Sequence, residues 1–89
     1  FQLNEFAWKI YVFSEDEEQL KTAKKWLDPL VKQYDDPSLI DTYASLIYKL
    51  RDPKTAIKWE KKAIRLAEMA EDEDLLHYQL QLERFESGQ

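Results

Sequence analysis

The sequence predicts an all-α fold of two antiparallel helical hairpins followed by a capping helix. Three observations predict it. Lys21-Thr22-Ala23-Lys24-Lys25-Trp26 recurs as Lys54-Thr55-Ala56-Ile57-Lys58-Trp59, five of six residues alike at an offset of 33. The 89 residues contain one glycine, whereas sheets and turn-rich folds need glycine where φ is positive. Apolar residues recur at the three- and four-residue spacing of a helix face.

The first helix is predicted over 2–13, with Leu3, Phe6, Ile10 and Phe13 in one stripe and Ala7, Trp8, Tyr11 and Val12 on neighbouring faces. A helix apolar nearly all round is expected to be buried on several sides. Ser14 and the acidic run Glu15–Glu18 open the second helix, where carboxylates suit the positive end of the dipole. That helix spans about 16–34, with Leu20, Ala23, Leu27, Leu30, Val31 and Tyr34 on one face. Pro29 lies inside it and predicts a kink or break near Asp28, because proline removes a donor and crowds the preceding turn.

Asp35-Asp36-Pro37-Ser38 is a turn in which Asp36 can cap and Pro37 fits the first helical position. Helix three follows to about residue 50, burying Leu39, Tyr43, Leu46, Ile47 and Leu50. Arg51-Asp52-Pro53 repeats the punctuation, and helix four runs to about 70 with Ala56, Ala63, Leu66, Ala67 and Ala70 inward. Glu60 projects near the centre of that apolar stripe. An unpartnered buried carboxylate is costly, so Glu60 is expected either to escape at a gap between helices or to meet a hydroxyl or a cation, with Tyr43 and Tyr78 as candidates. The capping helix, 72–87, aligns Leu75, Tyr78, Leu82 and Phe85 and ends at Ser87-Gly88. One domain results, with hairpin one at 2–34 and hairpin two at 37–70.

The first helices of the two hairpins also correspond. Phe6-Ala7 matches Tyr43-Ala44, and Ile10-Tyr11 matches Ile47-Tyr48, at an offset of 37. Ala44, Ala56 and Ala63 stand twelve and then seven residues apart, and small side chains let antiparallel helices approach closely. This spacing resembles the tetratricopeptide repeat, with Ile47, Ile64 and Leu66 at its apolar positions. Glu60 stands where that pattern has a large aromatic, and Leu30 replaces the third small residue of repeat one. The resemblance implies a right-handed stack of hairpins that contacts protein. Leu3-Asn4-Glu5-Phe6-Ala7-Trp8 and residues 41–67 further resemble the C-terminal helical region of bacterial thioredoxin-like envelope proteins, over roughly residues 3–70. That likeness implies a periplasmic or envelope location. It also implies a thioredoxin-like neighbour that would carry any redox activity, since this chain has no cysteine.

Thirteen basic and eighteen acidic residues give a net charge of −5, which repels a phosphate backbone and argues against nucleic acid. No apolar run approaches the ~18 residues of a membrane span, and the start has no signal-peptide pattern. Opening on Phe1 rather than Met, the chain is expected to be a processed product or an excised fragment. His77, the single histidine, is expected on a solvated helix flank beside Glu73, Asp74, Leu80 and Gln81. The run Glu71–Asp74 lacks the glycine and closing glutamate of a calcium loop. No catalytic, metal or cofactor constellation is present, so a non-enzymatic role is expected.

In tetratricopeptide arrays the first helix of each hairpin lines a groove. The corresponding residues here are Asn4, Trp8, Tyr11 and Val12 from repeat one, and Asp41, Ser45, Tyr48 and Lys49 from repeat two. Their aromatics offer large contact area at low entropic cost. The expected function is therefore a protein-interaction or scaffold module, with a protein, a peptide or an adjacent domain of the same parent chain as partner. The alternative is a structural accessory that stabilises or dimerises an adjacent thioredoxin-like domain. Against a partner groove stands core or intramolecular docking, in which the capping helix folds over the groove and buries those aromatics, and helix one owes its excess apolar surface to a missing neighbouring domain.

Overall fold

The computed structural model describes residues 2–88. It comprises five helices in chain order: α1 (Gln2–Phe13), α2 (Glu17–Gln33), α3 (Pro37–Lys49), α4 (Pro53–Met69) and α5 (Leu75–Ser87). Helices α1 and α2 form one antiparallel hairpin and α3 and α4 the other, each helix packed on its successor.

The helix starts follow from local chemistry. Asp16, Asp36 and Asp52 each accept a backbone N–H from the first turn they precede, and Pro37 and Pro53 open α3 and α4. The two hairpin-two helices end alike. Asp52 N–H bonds to the Ile47 carbonyl, and Asp72 N–H to the Ala67 carbonyl. Both closures pass through a left-handed residue, Arg51 at φ 71° and Glu71 at φ 52°, where glycine is usual. Asp72 then holds Asp74 N–H with its carboxylate, so α5 begins at Leu75, three residues later than expected.

Helix α3 is the centre of the molecule, packed by α1, α2, α4 and α5. Every residue from Leu39 to Ile47 is buried. Ala7, Ala23, Ala44, Ala56, Ala63 and Ala67 have no exposed surface, so the predicted small-residue contacts are present. Leu20, Leu27 and Val31 fill the α2 side, and Phe85 the α5 side.

Three expectations are corrected. Helix α2 runs unbroken through Pro29. Pro29 and Lys25 are both exposed, so the carbonyl freed at Lys25 lies on the side that water reaches. Helix α1 is not buried on several sides. It buries only Ala7 and Tyr11, because α2 and α3 flank that face alone, and the stripe of Leu3, Phe6 and Phe13 is exposed. In α4, Ala70 is exposed because the helix has ended before it reaches the core.

Two measurements check this packing. Ala63→Leu is expected to cost ~1–3 kcal/mol in urea unfolding, since no space exists for the added carbons, while exposed Lys61→Ala stays within ~0.5 kcal/mol. Glu71→Gly is expected to stabilise by several tenths of a kcal/mol to ~1 kcal/mol, because it relieves a left-handed residue.

Candidate functional site

The structure brings the predicted groove residues together on one face of α1 and α3, and α5 lies over much of it. Ser45 Oγ accepts from Gln81 Nε2 at 2.8 Å, with both residues buried. The Tyr11 hydroxyl accepts from Arg84 Nη2 at 2.9 Å, and Arg84 also donates to Gln81 Oε1. The Tyr48 ring stacks on Phe85 with centroids 4.6 Å apart. Trp8 is half-buried, its ring 5.0 Å from that of Tyr11 and 6.0 Å from His77. Lys49 Nζ donates to the Tyr11 carbonyl and pairs with Glu15 at 3.1 Å. Asn4 donates to Ser38 Oγ at 3.2 Å, and Val12 is exposed. Thus α5 engages Tyr11, Ser45 and Tyr48 of the groove.

Asp41 anchors a network that sequence spacing could not reveal. Its Oδ2 lies 3.1 Å from His77 Nε2. Its Oδ1 and both oxygens of Glu60 are buried and meet no nitrogen or hydroxyl donor. The carboxyls of Glu60 and Asp41 instead face each other. Two carboxylates are both acceptors, so this contact is a hydrogen bond only when one carries a proton. Desolvation, then the charge and hydrogen bond of Asp41, push the Glu60 carboxyl up to about 10. Only a protonated Glu60 can donate to Asp41, whose Oδ2 lies within hydrogen-bond distance of His77. The hydrogen bond from Asp41 raises the His77 imidazole against the opposing effect of its partial burial.

This arrangement corrects two expectations. Glu60 meets a carboxylate rather than a tyrosine hydroxyl. The Tyr43 hydroxyl is taken by Asp28 at 2.5 Å, and burial and then that bond raise its pKa. His77 is not simply solvated: its side chain is 48% exposed but ties α5 to α3. The nearby Tyr78 is buried, and its phenol is raised by desolvation.

Beside this network an open cleft of about 710 Å³ lies between the starts of α1, α3 and α5, with Asn4, Trp8, Asp41, His77 and Tyr78 on its walls. There Asn4 donates to Ser38 and Asp41 pairs with His77, while Asn4 Oδ1 and Asp41 Oδ1 are buried without a hydrogen-bond partner. Among the described residues no three His, Cys, Asp or Glu side chains converge to hold a metal ion. No described helix is long and apolar enough to cross a membrane.

An exposed apolar stripe lies on the opposite side of α1. Phe13 is 84% exposed and Phe6 60%, with Leu3 also exposed and Trp26 of α2 at the edge. Lys9 and Glu5 border the stripe. Comparison with family models, curated proteins and solved structures finds no match for the chain.

The buried proton sets a pH dependence. The folded chain keeps a proton on Glu60 that the unfolded chain releases above about 4.5. Stability from that protonation is full below about 4.5 and is lost as pH climbs toward about 10, by up to ~1.4 kcal/mol per pH unit. His77, also raised, acts with the same sign. Glu60→Gln keeps a donor toward Asp41 without a titrating proton. Urea unfolding at pH 5 and pH 9 is expected to show a marked loss for the wild type and a much smaller one for the variant.

Proposed function

We propose that this chain is a non-catalytic protein-contact module of tetratricopeptide-like build, and that its contact surface is the outer face of α1. The observation that carries the reading is the exposed stripe of Leu3, Phe6 and Phe13. Soluble domains rarely present contiguous aromatic and aliphatic surface without a use for it. A helix contributing large side chains at i, i+3, i+7 and i+10 offers rigid anchors of the kind that dominate protein interfaces. Engagement of the groove residues Tyr11, Asp41, Ser45 and Tyr48 by α5 favours this outer face over the groove. No partner there has to displace a helix that is already hydrogen-bonded in place.

The test places a photoreactive phenylalanine analogue at Phe13 and, as a control, at exposed Lys58. Irradiated in the cells that make the protein, the Phe13 site is expected to yield a discrete protein adduct and the Lys58 site none. Phe6→Glu should abolish the adduct while leaving the melting temperature unchanged. Diffuse labelling that is equal at the two sites removes this reading.

A further inference from the structure

The offset of 37 that aligns α1 with α3 also aligns their surfaces. Leu3, Phe6, Ile10 and Phe13 correspond to Ile40, Tyr43, Ile47 and Leu50. The α3 set is buried, with Leu50 partly so. The α1 set is largely bare, with only Ile10 partly covered.

Neighbouring helices account for the difference. Helix α1 has its own hairpin mate, α2, and the first helix of the next unit, α3. Helix α3 has the equivalents of both, α4 and α5, and in addition α1 and α2 from the hairpin before it. What α1 lacks is a preceding hairpin. At Tyr43 the cover is explicit: Asp28 of α2 accepts its hydroxyl and Lys24 stands 5.2 Å from its ring centroid. The second helices tell the same story. Trp59 packs edge-on to Tyr43 with centroids 5.2 Å apart, while its equivalent, Trp26, remains exposed at the edge of a depression shared with Ile10 and Thr22.

The same surface therefore occurs twice, once covered and once open. We propose that the outer face of α1 takes an antiparallel helical hairpin of a partner protein, packed on it as α1–α2 packs on α3. This rests on the contact reading above and names the partner's chemistry. Helix α2 buries Leu20, Ala23, Leu27 and Val31 between α1 and α3, while Lys24 and Asp28 turn to Tyr43. The partner hairpin therefore needs an aliphatic stripe between its own two helices and α1, with the positions equivalent to Lys24 and Asp28 facing Phe6. One feature must differ. Phe6 stands where α3 has Tyr43 and has no hydroxyl to donate, so the partner needs an apolar residue where α2 has Asp28, because a carboxylate there would be desolvated without a donor.

The test supplies such a hairpin in cis, at high effective concentration. A duplicate of residues 2–36 carrying Asp28→Ala is joined ahead of the full chain, so that its loop 34–36 enters α1 as it enters α3. In a stack of like units, neighbours stabilise one another through their interface. The expected result is one cooperative thermal transition with Tm raised by about 5 °C or more, a size typical of ~1 kcal/mol in a small domain. Phe13→Glu in the original α1 should cancel the rise. A duplicate that melts separately and leaves the original Tm in place overturns the proposal. A concentration-dependent dimer of the unextended chain that Phe13→Glu dissolves also overturns it, since a second copy is then the occupant. Failure here alongside a discrete Phe13 photo-adduct removes the hairpin partner alone, whereas loss of the adduct removes the contact reading itself.

Discussion

Burial of α3 on every side is the constraint from which the rest of the structure follows. With Leu39 through Ile47 all withdrawn from water, each polar group on that helix must find an internal partner, because an unsatisfied one costs about as much as the burial of an apolar side chain gains. Thr42 bonds back to the Ser38 carbonyl. Tyr43 finds Asp28 on α2, Ser45 finds Gln81 on α5, and Asp41 finds His77 on α5 and neighbours the Glu60 carboxyl of α4. These contacts run to three different helices. They fix how those helices lie around α3, while the alanines of α3 and α4 set how close they come.

The network at Asp41 shows how a polar core can be specific without being strongly stabilising. An apolar residue at position 60 would avoid the desolvation that Glu60 suffers, and buried ionisable groups are often neutral or costly beside such a replacement. The Glu60–Asp41 pair nonetheless joins α4 to α3, and His77 ties α5 to the same point. A carboxyl kept protonated by burial acts as a donor at a place where the backbone can supply none.

The hairpins and their boundaries were legible in the sequence because their causes are local. A duplicated Lys-Thr-Ala-x-Lys-Trp and the Asp-Pro starts of α3 and α4 act over one or two turns. The Schellman-type ends were hidden because Arg51 and Glu71 stand where a glycine would have announced them. Pro29 misled because proline's cost depends on which carbonyl it frees, and that is a property of the assembled surface. Sequence left open whether the groove faces a partner or lies under the capping helix, because the register of α5 over α3 is tertiary. Asp41, Glu60 and His77 lie on three helices at no periodic spacing. Only the awkward projection of Glu60 into an apolar stripe pointed toward them.

The two ends of the stack are unequal for a physical reason. At one end α5 meets the last hairpin with Tyr78, Gln81 and Phe85 buried, and its polar side chains answer those of α3 and α1. It closes the array both by shape and by hydrogen bonding. At the other end α1 turns outward a stripe with no hydroxyl, amide or charge at its centre. Phe6 stands where the covered helix carries Tyr43, so even the one hydroxyl of the equivalent surface is gone. A helix meant to face water would be expected to carry polar groups there, as the outer faces of terminal repeats do. The α1 stripe instead retains the size and spacing of an interior face, and that is the basis for proposing it as a contact surface rather than a cap.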